Sequence, residues 1–290
     1  MDIVQKFRLR GVRHCTQIDP ANEDKNTDSL FKLIGNSGTD AVIYAGSEGV
    51  STKNLLTVLE RSKKYISQIK VVAPSSPEVT DVRACKKILY SNPPLADAIL
   101  PYVVLNSTDP KFVNALHKDW YSSWYSEDEE IPTGKIREMP YIVISQKGTI
   151  RRKVPIDEDF SVKNIVGYAT IGAMRSSVHG IPLLYIETTG YDKNDTGIEP
   201  TEYIRACRDW TDRIGFSNLY LISGGEVRDE NEARRRIEAG ADAINVGNPL
   251  YFNDQQFGHS VYLSTIRGVK PEITLDEHKK LYEKLYSVTL

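Results

Sequence analysis

The chain has 290 residues, of which 40% are hydrophobic and 26% charged, and its formal net charge is −2. This composition is typical of a water-soluble globular protein, and the nearly balanced charge argues against a nucleic-acid-binding surface. The length fits one (β/α)8 barrel, which takes about 250 residues, or two smaller domains. Three scattered cysteines without metal-ligand spacing favour a reduced, cytoplasmic compartment. A transmembrane helix and a signal peptide are not expected, because Met1–Arg13 has no long apolar core and no apolar run reaches the necessary length.

Eight short apolar segments with turn residues at their ends predict β-strands. We expect these strands at about His14–Asp19, Asp40–Ala45, Ile69–Ala73, Ala98–Leu105, Tyr141–Ser145, Pro182–Thr188, Asn218–Ser223 and Ala243–Val246. Most of the segments between them have helical spacing of apolar residues. Strands that alternate with helices indicate a parallel sheet with right-handed crossovers. The predicted fold class is therefore α/β, a single (β/α)8 barrel that spans residues 1–290 and ends in a helix near Leu275–Val288.

Two segments depart from this regularity. Pro93 and Pro94 in the segment Thr80–Ala96 predict a loop that disrupts the third crossover. The segment Trp120–Pro140 is predicted to be a surface insertion, and it is unusually rich in tryptophan and tyrosine. Either its aromatic residues belong to a helix end that packs on the barrel, or they form a flap over an apolar ligand.

Small residues follow the last two predicted strands. Ser223, Gly224 and Gly225 end the seventh strand, and Gly247 and Asn248 end the eighth. Glycine turns let backbone N–H groups approach an anion, and barrels commonly bind phosphate with the loops after strands seven and eight. Each motif could also be only a tight turn, but the pair at this spacing predicts a phosphate site.

The sixth strand ends in a tyrosine and a glutamate on one face. Tyr185 and Glu187 are two residues apart, so both side chains point into the predicted barrel near its mouth. A buried glutamate is costly unless it is hydrogen-bonded, so Glu187 is either a bonded structural residue or a base for a substrate hydroxyl. The loop that could close over the same ligand continues with Thr188, Thr189, Gly190 and Tyr191.

Asp19 ends the first strand, because Pro20 prevents the strand from continuing. The aspartate is either a turn residue or a ligand of Mg²⁺, which prefers oxygen ligands and usually keeps waters and substrate phosphates. Ser47, after the second strand, would face Asp19 from the neighbouring strand. One carboxylate and one hydroxyl make a weak metal site, which a diphosphate would have to complete.

These motifs, taken in order, resemble the geranylgeranylglyceryl phosphate synthases of archaea and the heptaprenylglyceryl phosphate synthases of bacteria. The resemblance runs from about His14 to Tyr251. It rests on the segments Ile18–Pro20, Gly38–Ile43, Gly46–Val50, Ala96–Leu100, Val104–Ser107, Tyr185–Glu187, Gly224–Gly225, Ala239–Ala243 and Val246–Asn248. It implies a modified (β/α)8 barrel whose third helix is replaced by an irregular segment. It also implies a Mg²⁺-dependent transfer of a polyprenyl group from its diphosphate to a hydroxyl of glycerol 1-phosphate.

By position, the resemblance also assigns roles to residues. Asp19 and Ser47 would hold Mg²⁺ and the diphosphate, and Tyr185 and Glu187, with the loop Thr189–Tyr191, would hold the hydroxyls of the acceptor. The acceptor's phosphate would lie on Gly224, Gly225, Gly247 and Asn248. Glu187 would align the attacking hydroxyl and accept its proton.

Three positions depart from the family's pattern. Gln17 stands where some members have a lysine, Glu226 follows the two glycines where the family has a third, and Thr188–Tyr191 replaces a run of smaller residues. These changes around the acceptor leave a second acceptor open, 3-phosphoglycerate, which a related branch prenylates in the biosynthesis of phosphoglycolipid antibiotics.

Two further functions remain open at this point. One is a phosphosugar isomerase or aldolase on the same barrel, for which Lys147 after the fifth strand is the nearest Schiff-base lysine. The other is a ligand-binding relative that has lost activity. The expected partners are a polyprenyl diphosphate, a three-carbon phosphate and a second copy of the chain. Nucleic acid is not among them, and the apolar donor implies transient contact of a cytoplasmic protein with a membrane.

Overall fold

The computed structural model describes residues 1–46, 48–74, 81–145, 147, 152–190 and 197–286. Parallel strands form one sheet, and helices lie between successive strands. In chain order the strands are β1 His14–Ile18, β2 Ala41–Tyr44, β3 Ile69–Val72, β4 in two parts Ala98–Ile99 and Tyr102–Val104, β5 Met139–Val143, β6 Leu183–Glu187, β7 Tyr220–Gly224 and β8 Ala243–Val246. The helices are α1 Ile3–Leu9, α2 Asp28–Asn36, α3 Thr52–Ser62, α4 Val82–Tyr90, α5 Leu116–Ser126, α6 Val162–Ser176, α7 Pro200–Arg213, α8 Glu230–Glu238, α9 Gln255–Val269 and α10 Leu275–Tyr286.

Strand β4 closes the sheet into a barrel. Its first part pairs with β3 and its second part pairs with β5, so the two ends of the sheet meet in one stretch of chain. The Leu100 N–H donates to the Val72 carbonyl (2.7 Å), and the Met139 N–H donates to the Pro101 carbonyl (2.9 Å). Pro101 has no N–H to donate, which fits a break in the strand between its two parts. The predicted eight-stranded (β/α)8 barrel is confirmed.

The core has two layers, because alternate residues of each strand point to opposite faces. Ile43, Val71, Leu100 and Ile222 belong to the cluster that fills the inside of the barrel. A second cluster lies between the outer faces of the strands and the helices α2, α3, α4 and α9. Both clusters are nearly fully buried, so the polar residues inside the barrel are exceptions that need a partner.

Helix α1 covers the N-terminal end of the barrel. Phe7 packs on Tyr220, with 5.7 Å between the ring centroids, and the Tyr220 hydroxyl donates to the Val12 carbonyl (2.7 Å). The buried guanidinium of Arg137 donates to Asp2, the residue that caps α1 (2.8 Å). The open end of the barrel is therefore the C-terminal end of the strands, where barrel enzymes carry their active sites.

The third crossover differs from expectation. It contains helix α4, which packs Cys85, Ile88 and Leu89 into the outer cluster. The expected replacement of the third helix is therefore wrong. The two prolines affect only the stretch after Tyr90, and the strong apolar face of the helix outweighs them.

The tryptophans and tyrosines of the predicted insertion lie in helix α5, which ends at Ser126. Trp120 and Trp124 are buried in the outer cluster, at 4% and 1% exposure, and their rings meet edge to face. Tyr125 points to solvent. Both tryptophans thus pack on the outside of the barrel, as a helix end would. In the described part of the chain, no helix is long and apolar enough to cross a membrane.

A buried polar network joins β1 to the helices α9 and α10. The His14 ring lies 2.9 Å from the Thr39 hydroxyl and 3.2 Å from the Thr265 hydroxyl. Burial, together with the nearby Lys270 and His278, lowers the pKa of His14 from 6.5 to about 3. Between about pH 3 and 6.5 the folded protein therefore keeps this histidine neutral, whereas the unfolded chain protonates it.

This network predicts acid sensitivity. Because the folded pKa of His14 lies below the unfolded value, its contribution to stability is complete above pH 6.5 and is lost as the pH falls toward 3. Below about pH 6, the free energy of unfolding of the native protein should fall by about 1.4 kcal/mol per pH unit more than that of His14→Gln. Urea unfolding of both proteins between pH 7 and 5 measures the difference. Parallel slopes for the two proteins would contradict the prediction.

Candidate active site

The buried carboxylate of Glu187 is the centre of the site at the C-terminal ends of the strands. It is 5% exposed and lies inside the barrel at the end of β6. The Tyr141 hydroxyl donates to Glu187 Oε2 (2.6 Å), and the Thr189 backbone N–H donates to Oε1 (2.7 Å). The Thr189 hydroxyl also donates to Oε1. All three neighbours are donors, so the carboxylate serves as an acceptor at the mouth of the barrel.

Three tyrosines form an aromatic wall beside this carboxylate. The Tyr141 and Tyr185 rings are stacked, with 4.7 Å between centroids and 12° between planes. Tyr102 packs against Tyr141 at 4.7 Å. Burial, together with the charge of Glu187, raises the pKa of all three phenols, so each stays protonated and can donate a hydrogen bond.

The glycines after β7 make room for these side chains. A Cβ on Gly224 would lie 1.8 Å from the Tyr185 hydroxyl, and a Cβ on Gly225 would lie 2.1 Å from Glu187 Oε1. Gly225 also has a φ of +77°, which favours glycine. The predicted glycine turn thus receives both polar side chains of β6 on adjacent residues.

The loop after β6 is tied to the same turn. The buried Thr188 hydroxyl lies within hydrogen-bond distance of the Gly224 and Gly225 carbonyls (3.0 and 2.8 Å), so it joins two loops. The Gly190 N–H donates to Glu226 Oε1 (3.1 Å). Tyr191 lies outside the described residues.

Glu226 does not point a free charge at the turn. Its φ is +53°, in the left-handed region that a non-glycine residue rarely adopts. Its carboxylate pairs with Arg228 through a hydrogen bond of 2.6 Å from Nε, and it accepts from Gly190. The acid that departs from the glycine pattern is therefore partly neutralised and holds the loop after β6 in place.

The remaining glycine turn lies next to the first strand. Gly247 packs so closely on Gln17 that a Cβ would lie 2.9 Å from the Gln17 Cβ. Asn248 is exposed at the start of a single 3-10 turn. Gly224, Gly225 and Gly247 therefore come together around the inner end of the site, and Asn248 lies at its rim.

Ser223 occupies a different side of β7. Its hydroxyl lies 3.1 Å from the buried guanidinium of Arg236, which also donates to the Gly224 carbonyl (3.2 Å). The Ser223 side chain thus faces the helix layer, away from Glu187. Only its backbone lies at the mouth of the barrel.

Asp19 lies against the end of β2. A Cβ on Gly46 would lie 2.2 Å from Asp19 Oδ1, so the carboxylate touches the segment that leads to Ser47, which itself lies outside the described residues. The Ala21 N–H donates to Oδ1 (2.9 Å), and burial raises the pKa of Asp19. No group of three or more potential metal ligands among His, Cys, Asp and Glu occurs in the described part of the chain.

Sequence reasoning missed two residues of this site. Tyr141 is opposite Tyr185 in the register of β5 and β6. The signal that could have found it is its position in the neighbouring predicted strand, at the same height in the barrel as Tyr185. Asn245 is a polar residue inside the otherwise apolar strand β8, and its amide donates to the Tyr185 hydroxyl (2.8 Å). Lys147, by contrast, is exposed, whereas a Schiff-base lysine is normally desolvated.

The fold and this carboxylate–tyrosine cluster define a (β/α)8-barrel protein with its polar site at the C-terminal strand ends. The PcrB family model matches residues 7–264, so the chain belongs to the PcrB family. The chain is 26% identical over 265 residues to the heptaprenylglyceryl phosphate synthase of Geobacillus kaustophilus, covering 90% of this chain and 94% of that enzyme. It is 25% identical over 260 residues to the geranylgeranylglyceryl phosphate synthase of Methanospirillum hungatei, covering 89% and 96%.

A solved structure shares the fold. The (S)-3-O-geranylgeranylglyceryl phosphate synthase of Thermoplasma acidophilum, in complex with its substrate sn-glycerol-1-phosphate, matches with a TM-score of 0.70 and 19% identity. The match covers 93% of this chain and 99% of that one. At this identity the likeness establishes the barrel fold alone.

The close approach at Gly224 generates a prediction. Gly224→Ala places a methyl group on the Tyr185 hydroxyl, so we expect it to lower stability by about 1–3 kcal/mol and to displace the ring. Gly167→Ala is the matched control, because the exposed helical Gly167 has open space around it and alanine should stabilise by about 1 kcal/mol. Urea unfolding measures both changes. Equal effects of the two substitutions would show that the contact is absent.

Proposed function

We propose that this protein transfers a polyprenyl group from its diphosphate to a hydroxyl of glycerol 1-phosphate and forms an ether. The observation that carries the proposal is the buried Glu187 carboxylate, which lies beside protonated tyrosines and against the Gly224–Gly225 turn. Two further facts support it: relatives in the same family are named prenylglyceryl phosphate synthases, and the Thermoplasma acidophilum enzyme binds glycerol 1-phosphate as its substrate.

The reaction exchanges one bond for another. The acceptor oxygen bonds to the first carbon of the allylic chain, the bond from that carbon to the diphosphate breaks, and the diphosphate leaves with the bonding electrons. The hydroxyl proton passes to Glu187, which still has a free lone pair on Oε2 beside the bond from Tyr141. The buried aromatic wall excludes water, which would otherwise compete with the acceptor.

The acceptor's phosphate is best served by backbone N–H groups. The Gly224–Gly225 turn and Gly247 end the last two strands, and helix α8 begins shortly after the first turn, so N–H groups at these strand ends would bind the phosphate. Of the two arginines at this turn, Arg228 is engaged by Glu226, and Arg236 faces the helix layer, where it contacts Ser223.

The acceptor is therefore a polyol phosphate with a single charged end. The partners of Glu187 in the described residues are neutral hydroxyl and N–H groups, and they suit a hydroxyl. The carboxylate of 3-phosphoglycerate would need a cation there. We therefore favour glycerol 1-phosphate over 3-phosphoglycerate.

Magnesium is part of the proposal. Asp19, with Ser47, would hold the ion, and the ion's role is to neutralise the charge of the leaving diphosphate. The donor set fits, because one partly buried carboxylate at a strand end suits an ion that keeps waters and substrate phosphates as its other ligands. We also propose that the enzyme works in the cytoplasm as an oligomer and meets its apolar donor at the membrane surface.

The function is tested by a crossed product assay. Farnesyl, geranylgeranyl and heptaprenyl diphosphates are each combined with glycerol 1-phosphate and with 3-phosphoglycerate, and ether product and diphosphate are measured. We expect product with glycerol 1-phosphate. Product with 3-phosphoglycerate alone would reassign the acceptor, and no diphosphate release with any pair would refute the proposal.

Glu187→Gln tests the base. The amide keeps the size of the side chain but accepts no proton, so kcat should fall by about 100- to 10,000-fold. Glu238→Gln is the control, since Glu238 is an exposed glutamate on helix α8 and should leave turnover unchanged. Turnover of Glu187→Gln at the native rate would remove the base role from this residue.

Asp19→Asn tests the magnesium site. Chelation of Mg²⁺ should abolish turnover, and the variant should need about tenfold more Mg²⁺ for half-maximal rate, equivalent to about 1.4 kcal/mol of lost binding. Asp24→Asn, on the same loop and exposed, serves as the control. A Mg²⁺ titration that is identical for Asp19→Asn and the native protein would sink the assignment.

A further inference from the structure

Strand β8 has one polar side chain that points into the barrel. Asn245 pairs in register with Gly224 on one side and Cys15 on the other, and it is 3% exposed. Its neighbours Ala243, Ile244 and Val246 are apolar. A buried carboxamide here therefore needs a reason other than the folding of the strand.

The hydrogen bonds of Asn245 have a fixed direction. The Gln17 amide N–H₂ faces the Ala45 carbonyl (3.4 Å), so the Gln17 carbonyl is the acceptor for Asn245 Nδ2 (2.8 Å). The same Nδ2 donates to the Tyr185 hydroxyl (2.8 Å). Because the Tyr185 oxygen accepts from Asn245, its own proton remains available for another partner.

This arrangement has a cost. Asn245 Oδ1 is buried and has no hydrogen-bond partner within the described ranges. An unsatisfied buried acceptor costs about 1–3 kcal/mol, which offsets what the two bonds from Nδ2 contribute to stability. A side chain that carries this cost and organises a tyrosine of the site is typical of a functional role.

The target of the Tyr185 proton is close to Glu187. The Tyr185 hydroxyl lies over Gly224, and Glu187 Oε1 lies over Gly225, the next residue. A hydroxyl bound between the two side chains would accept from Tyr185 and donate to Glu187 Oε2, which has a lone pair free beside the bond from Tyr141. One donor and one acceptor side by side are complementary to a single alcohol group.

We propose that Asn245 is a positioning residue for the acceptor: held by the Gln17 carbonyl, it orients the Tyr185 O–H so that Tyr185 donates to the acceptor hydroxyl that Glu187 deprotonates. The inference rests on the proposed function. It adds a residue that acts through Tyr185 and does not touch the substrate. It also assigns a role to Gln17, whose carbonyl accepts from Asn245 Nδ2 and so fixes which way the Asn245 amide faces.

The test separates this role from a structural one. Asn245→Leu should raise the KM for glycerol 1-phosphate by about 3- to 10-fold, the value of one lost hydrogen bond, with the KM for the prenyl diphosphate unchanged. Its free energy of unfolding should stay within about 1 kcal/mol of that of the native protein, because the loss of two hydrogen bonds is offset by the loss of the unsatisfied oxygen. Ile244→Val is the matched control on the same strand, and should lower stability by about 1 kcal/mol without changing the acceptor KM.

Two further variants complete the test. Asn245→Asp keeps the shape, but its carboxylate would turn the Tyr185 proton toward itself, so it should lose as much acceptor affinity as Asn245→Leu. In a double-mutant cycle, Asn245→Leu should add little to Tyr185→Phe, because both remove the same hydrogen bond.

The outcomes are distinct. If the native enzyme turns over, an unchanged acceptor KM in Asn245→Leu would overturn the role of Asn245 alone. Additive effects in the double-mutant cycle would overturn the same role. If Asn245→Leu does not fold, Asn245→Asp decides, and an unchanged acceptor KM there would also overturn it. A native protein that is inactive with every donor and glycerol 1-phosphate would refute the proposed function itself.

Discussion

A carboxylate taken out of water must be hydrogen-bonded, and the upper part of this barrel is arranged around that requirement of Glu187. Tyr141 and Thr189 satisfy it from the neighbouring strand and the following loop. Gly225 has no side chain because the carboxylate occupies the space where one would be. The same contacts leave one lone pair of Oε2 for a substrate. The hydrogen bonds that stabilise the buried carboxylate therefore also hold it ready to accept a proton.

Much of this arrangement could be predicted from the chain alone. The strand that carries Tyr185 and Glu187 has an apolar run, a turn and a spacing of two, and these local signals fix which face the side chains share. The glycine turns were equally local. For these reasons the barrel and the position of the site were within reach of sequence reasoning.

What escaped prediction depends on the register between distant strands. Tyr141 joins the site because β5 and β6 align it with Tyr185, and Asn245 because β8 places it beside Gln17. A single sequence gives no measure of such alignments. Helix α4 was not predicted for a different reason. Pro93 and Pro94 favour a loop, whereas the apolar face of Cys85, Ile88 and Leu89 just before them favours a helix. The orientation of Ser223 depends on a partner, Arg236, that lies on the following helix.

The two-part strand β4 has a consequence for the chain as it folds. Until its halves have paired with β3 and β5, those two strands each present an edge of unpaired N–H and C=O groups. Such edges recruit strands from other molecules and lead to aggregation. The short stretch around Pro101 therefore does more than complete the barrel. It pairs with both exposed strand edges, and the sooner it does so during folding, the less those edges can pair with strands of other molecules.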